Sequence, residues 1–223
     1  MRMVPNSARP PASHRCAGID GCKSGWVIAS RTGLRVASNL EIHDLDYDIV
    51  GIDMPMGIPD SPGREADTSA RAFLGPRRSS IFDVPARPLL EAATYADANE
   101  QSRRLFSRGL SRQSWHLVTK IIEVDRLARQ TDRLVEVHPE CSFRTMADVD
   151  LASKKSPEGI AQRRSLIDTH LGISVPTLHG ATIDDVLDAY AALWSAERFA
   201  SGRHTTFGDS ALDRNGVPMR IVT

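Results

Sequence analysis

The sequence predicts an α/β fold: a mixed five-stranded sheet, with three strands in an antiparallel meander and the others parallel, flanked by helices. Three observations carry that reading. Residues 16–20 (CAGID), 25–31 (GWVIASR) and 34–40 (LRVASNL) are short apolar runs joined by tight turns, Thr32-Gly33 among them, the pattern of a meander. Residues 49–54 (IVGIDM) and 134–138 (LVEVH) are isolated apolar runs, each stopped by a proline, as buried strands are. Helical spacing fills most of the remaining chain.

Taken in order, residues 41–48 are short and acidic and suit a helical turn. The segment PMGIPDSPG that follows Met54 is too rich in proline and glycine for regular structure and forms a loop at a strand's C-terminal end, where ligands often bind. A short helix over 67–74 is closed by Gly75, and 76–88 is an irregular Arg/Ser/Pro loop. Helices are expected over about 88–105 and, capped by Ser111, over 111–130 with Trp115, Val118, Ile121, Ile122 and Leu127 on its apolar face. Ser156-Pro157 and Gly172 bracket a helix over 157–171. The last helix, about 182–200, presents Ile183, Val186, Leu187, Tyr190 and Trp194 as a core-facing stripe. The tail from Gly202 has no strong period. The resulting organisation is a flexible leader over 1–14 and a single domain over 15–223, with a helical insertion at about 60–130.

The charges balance at 28 Lys+Arg against 28 Asp+Glu, which argues against a nucleic-acid coating protein, a polybasic membrane binder or an acidic tail. Hydrophobic residues at 41% and charged ones at 25% are ordinary for a globular fold and too apolar for a disordered chain. No apolar run reaches the roughly 18 residues of a membrane span, so no membrane partner is expected and the default location is cytoplasmic. Three cysteines without a CxxC pair indicate neither a disulfide framework nor a zinc site, and Cys16 and Cys141 read as small core residues. Only four cations are lysines, leaving 24 arginines, a composition suited to bidentate capture of phosphate or carboxylate.

Candidate chemistry gathers on acidic residues at strand ends. Asp20 ends one apolar strand between glycines that permit close approach, and Asp53 ends another beside the proline-rich loop. A buried carboxylate there needs a cation partner, although turn formation by Asp20 and loop capping by Asp53 are live alternatives. In the last helix Thr182 and Asp185 form a potential capping box, and Asp184 and Asp185 favour the helix dipole. Asp188, in the second turn beside Ala189, Ala191 and Ala192, is less easily explained that way, even though it lies roughly opposite the apolar stripe. Glu136 and His138 share one face of their strand, with Glu140 just beyond. Arg64, Asp67 and Arg71 lie at i, i+3 and i+7, as a surface ion-pair set or a phosphate grip. Lys23, Ser79, Ser80, Arg87, Gln113, Lys120, Lys154 and Lys155 are further polar candidates.

Several segments in order, GIDGCKSGW, IDMPMGIP, the R-x-x-D-x-x-x-R run from Arg64 to Arg71, SSIFDVP, EVHPECSF, SKK and DDVLDAYAA, resemble the predicted RNase H-like nuclease family that carries domain of unknown function 429. The resemblance spans about residues 15–200. Ser24 departs from it, because GCKGGW is the usual form; a serine is tolerated there unless a positive φ is required. The resemblance implies an RNase H-like sheet with Asp20 as first-strand acid, Asp53 as fourth-strand acid, and Asp188 with Asp185 on the final helix. It further implies Mg²⁺ or Mn²⁺ held by these four aspartates, an all-oxygen set suited to such ions. Two-metal hydrolysis of phosphodiester bonds in nucleic acid follows, with Asp20, Asp53, Asp188, Glu136 and Glu140 catalytic. Lys23, Arg64, Asp67, Arg71, Arg87, Lys120 and Lys154 would then hold substrate. The alternative is a non-catalytic or nucleotide/phosphate-binding module on the same fold.

Overall fold

A computed structural model describes residues 14–209 and 211–223; the expected leader, apart from His14, lies outside the described residues. The sheet is built from β1 (Cys16–Cys22), β2 (Gly25–Ser30), β3 (Leu34–Ala37), β4 (Ile49–Ile52) and β5 (Leu134–Glu136) in the order β3-β2-β1-β4-β5. The first three pair antiparallel, and β4 runs parallel to both β1 and β5. This is the mixed α/β sheet that the sequence predicts. Ser24, in the turn between β1 and β2, has no positive φ, whereas the following Gly25 has φ 129°, so the serine sits where any residue fits.

The helices are α1 (Glu65–Leu74), α2 (Tyr95–Phe106), α3 (Arg112–His116), α4 (Val118–Ala128), α5 (Pro139–Ala147), α6 (Pro157–Leu171) and α7 (Ile183–Ala200). Side-chain alternation divides the sheet into two apolar faces. Ala17, Ile19, Ile28, Val50, Ile52 and Leu134 pack with Val118, Ile121, Val124 and Leu127 of α4. Cys16, Cys22, Val27 and Ala29 pack on the other side with α5, α6 and α7. All three cysteines are free and buried.

Several elements differ from expectation, each for a local reason. The helix expected from about residue 88 begins at Tyr95, because Thr94 caps it by accepting from the Asp97 amide (3.2 Å). Upstream, Arg87–Leu89 makes only a 3₁₀ turn, held by the grip of Arg87 on Asp125 and Asp213. Ser111 caps its helix as expected, but the run breaks at Leu117 into α3 and α4, with the Ser114 hydroxyl anchoring α3 to the Asp83 carbonyl (2.7 Å). Pro139 ends β5 and also occupies the first turn of α5, a helix the sequence reading omits. The tail forms a small antiparallel pair, β6 (Thr206–Phe207) and β7 (Ile221–Val222).

The expected outward placement of Asp188 is corrected. Residues 186–196 of α7 are buried on every side, because the helix lies between the sheet and the pair α5 and α6. It approaches the sheet closely at two glycines. A Cβ on Gly18 would overlap the Ala189 carbonyl and Leu193 amide, and one on Gly51 would overlap the Ala192 carbonyl. Gly18→Ala is therefore expected to cost about 3 kcal/mol or more, as overpacking against immovable backbone does. Gly33→Ala, with nothing within 4 Å of the added carbon, is the neutral control in the same urea denaturation experiment. Equal stability of the two variants would refute the close contact.

Candidate functional site

The sequence repeats one tripeptide, Gly18-Ile19-Asp20 and Gly51-Ile52-Asp53, on the two central parallel strands. Ile19 pairs with Ile52, and the Asp53 amide donates to the Ile19 carbonyl (2.9 Å), so the aspartates end their strands side by side. Each glycine faces α7, and by alternation each aspartate two residues later faces the same way, about 6.6 Å further along. Ala189 and Ala192 touch the glycines, and one turn back from Ala192, about 5.4 Å along the helix, lies Asp188. Strand and helix spacing thus bring Asp20, Asp53 and Asp188 to one level.

Two of them are buried, Asp20 at 8% exposure and Asp188 at 5%, and Asp53 between them is half-buried at the foot of the cleft described below. Burial raises the pKa of Asp20 well above the usual carboxylate range, with Asp53, Asp188 and Asp185 adding to the effect. Burial and the neighbouring Asp188 charge do the same to Asp53, against the pull of Lys154. Burial pushes Asp188 up to about 7, opposed by Lys154 and reinforced by Asp184.

Lys154 lies within 2.9 Å of both Asp184 Oδ2 and Asp188 Oδ2. Burial works against its charge, but Asp188 and Asp184 overcome that and raise its pKa. The other oxygens of those carboxylates, Asp184 Oδ1 and Asp188 Oδ1, are buried without a hydrogen-bond partner. Among the described residues no group of three or more His, Cys, Asp or Glu side chains stands ready to hold a metal ion. The donor set nevertheless fits a hard divalent cation: it is all oxygen, its Asp188 Oδ1 is orphaned, and one lysine faces several carboxylates.

Asp53 and Asp188 floor a cleft of about 550 Å³ whose walls are residues 76–82, Gln113, His138–Glu140 and the 153–155 loop. Burial lowers the pKa of His138. Its Nε2 faces the Ser80 carbonyl at 3.4 Å, so Nε2 carries the proton and the buried Nδ1, which has no partner, is left as a bare acceptor.

The other expected site residues are engaged elsewhere. Glu136 pairs with Ile52 in the ladder and therefore points to the sheet face opposite the three aspartates. There Arg64, 4% exposed, binds it through Nη1 (2.8 Å) and Nη2 (2.6 Å). Arg64 also binds Asp67 through Nη2 (2.6 Å) and Nε (3.1 Å) and the Met56 carbonyl (2.7 Å). All five guanidinium hydrogens are used, and neither Arg64 nor Asp67 is free for substrate. Glu140 lines the cleft, but both of its oxygens accept from buried Arg163 (2.7 and 2.9 Å). Asp185 closes the capping box with Thr182 (2.8 Å). Arg71 holds the Ile81 carbonyl and Asp83 (2.7 Å), and Arg87 holds Asp125 and Asp213. Lys120 lies 4.0 Å from the Trp26 ring centroid, and Lys23 is exposed away from the cleft lining. Sequence reasoning missed Arg163, whose pairing with Glu140 joins two helices and leaves no local signal. It also missed the Gly-Ile-Asp repeat, the one local clue to the meeting of the strands and α7.

Two outcomes follow from these placements. Arg64→Ala should lower stability by about 3–5 kcal/mol, because it strands Glu136 and Asp67 as buried charges; an unchanged denaturation midpoint would contradict the pairing. For the aspartate cluster, carboxyls with a raised folded pKa bind protons that the unfolded chain has already lost. Their contribution to stability therefore declines as pH rises from about 4, the unfolded value, through about 7, the folded value of Asp188. In metal-free buffer Asp53→Asn should then become more stable than wild type as pH rises through this window, by on the order of 1–2 kcal/mol at pH 8. A variant less stable than wild type throughout the pH series would refute it.

A family model described as a protein of unknown function, DUF429, matches residues 18–212, from within β1 to beyond α7. No curated protein and no solved structure matches the chain. The matched span holds Asp20, Asp53, Asp188 and every residue of the cleft above them, and on that match the chain belongs to the DUF429 family.

Proposed function

We propose that this protein is a divalent-metal-dependent hydrolase of phosphodiester bonds, a nuclease of the RNase H-like kind, with Asp20, Asp53 and Asp188 as its metal ligands. The observation that supports this most is the convergence of three mutually repelling carboxylates at one level of the fold, with Asp53 and Asp188 on the floor of a polar cleft. Repulsion of that kind persists in a fold where it serves a site. Mg²⁺ or Mn²⁺ bound there would supply charge neutralisation at phosphate and activation of water. Asp20 and Asp53, fixed by the β1–β4 ladder, set the floor, and Asp188 closes it from α7. His138 offers a bare Nδ1 from the cleft wall to accept a proton or a hydrogen bond. Lys154, now on Asp184 and Asp188, stands where an incoming phosphate would meet a positive charge.

A second reading, phosphate binding without catalysis, draws support from Lys154, which pairs with Asp184 and Asp188 and so balances part of the acidic charge itself. Thermal unfolding with added Mn²⁺ and Mg²⁺ separates the two. Under the hydrolase reading the wild-type midpoint rises by mass action, the Asp53→Asn midpoint does not, and Asp20→Ala and Asp53→Ala lose metal-dependent cleavage of a mixed nucleic-acid substrate while keeping their circular dichroism. Unchanged turnover in both alanine variants would sink the assignment. Absence of any metal shift in the wild type at millimolar concentration would favour the binding module.

A further inference from the structure

The walls of the cleft differ in kind from its floor. Arg77 and Lys155 both line the cleft, and among the described residues neither is in an ion pair. Arg77 donates only to the Leu151 carbonyl, tying the 75–80 segment to the loop before α6. Lys155 is exposed, and only its backbone amide is bonded, to the Ser153 hydroxyl (3.4 Å). Most other arginines among the described residues are paired with carboxylates, which makes two cations without an acidic partner facing one cleft informative. Ser79 and Ser80 add hydroxyls beside Arg77, while Phe82 and Gln113 supply an aromatic ring and an amide. Cations and hydroxyls bind a phosphate; a ring and an amide together suit a nucleobase, by stacking and by edge hydrogen bonding.

Size decides how much nucleic acid such a cleft takes. At about 550 Å³ it lies within the range of about 300–1,000 Å³ that encloses one small ligand. Specific duplex binding buries about 1,000–2,500 Å² of protein surface with a broad basic face. Zero formal net charge and 5% aromatic residues offer neither that face nor a long stacking platform.

We infer that the cleft binds a short single-stranded phosphodiester of dinucleotide scale, its phosphate held between Arg77 and Lys155 and one base against Phe82 and Gln113, and that it does not admit a duplex. The inference rests on the reading of the site as a phosphodiester site and names its substrate class. It differs from that reading in not depending on a metal for recognition.

The test is calorimetric binding of the dinucleoside monophosphates TpT and UpU, each with one phosphodiester, in EDTA buffer. Wild type should bind at least one of them. Lys155→Ala and Arg77→Met should each weaken that binding about tenfold, the loss of one charge-assisted contact. A 20-base-pair duplex should not displace the dinucleotide. Lys155→Ala guards against a folding artefact, since its side chain has no described partner. Unchanged affinity in both rim variants overturns the inference, as does displacement by duplex at equal concentration or no binding of either probe at millimolar concentration. Rim-dependent binding without metal-dependent cleavage leaves the substrate class standing and removes the hydrolase. Cleavage with a KM indifferent to Arg77 and Lys155 does the reverse.

Discussion

Helix backbone meets sheet backbone only where the sheet offers no side chains, and α7 does so over Gly18 and Gly51. The direct contact fixes the depth of the helix, since neither partner can move closer and any added carbon forces them apart. It also fixes the phase of α7, because Ala189 and Ala192 must face the sheet. Asp188 is thereby set one turn above the contact, at the level where β1 and β4 end in Asp20 and Asp53. The same closeness keeps water from Asp20 and Asp188, so they are buried as well as near one another. Proximity and burial both raise their pKa values, and both descend from one packing constraint.

The buried acids of this chain fall into two groups. Among the described residues, Glu136 and Asp67 share Arg64, Glu140 has Arg163, Asp44 has Arg35, and Asp125 and Asp213 share Arg87. Arg64 grips Glu136 and Arg87 grips Asp125 through two nitrogens each, the fork that makes arginine the residue for buried pairs, and Arg163 reaches both Glu140 oxygens through Nη2. The second group, Asp20, Asp53 and Asp188, has no arginine at all and only Lys154 at its edge. A fold that satisfies its other buried carboxylates so fully leaves these three unsatisfied at the one place where a cleft opens above them.

Much of this was readable before any coordinates. Alternation and proline stops located the strands, and the Ser156, Gly172 and Thr182 signals bounded α6 and α7 closely, because caps are local hydrogen bonds between residues a few positions apart. Asp20, Asp53 and Asp188 could be singled out from strand ends and from the alanines around Asp188. The partners of the remaining candidates could not. Glu136 stands 72 positions from Arg64 and Glu140 stands 23 from Arg163, and pairings over such distances leave no periodic trace. The outward placement of Asp188 failed for a related reason: a single apolar stripe describes a helix with one wet face, and α7, packed on both sides, has none over 186–196.

The abundance of arginine carries a similar lesson about the site. With 24 arginines, a basic ligand grip looks overdetermined, yet Arg64, Arg71, Arg87 and Arg163 are taken up inside the fold by the groups they order. What remains facing the cleft is a negative floor beneath a positive rim. An anionic ligand gripped by Arg77 and Lys155 must lie over Asp53 and Asp188, where Lys154 alone offsets the carboxylates. Charge of that sign beneath a phosphate is tolerable only if a proton or a further cation occupies the floor. Cation and phosphate must then each strengthen the binding of the other, by the same factor in both directions. The acidic cluster, costly in the empty fold, is what couples them.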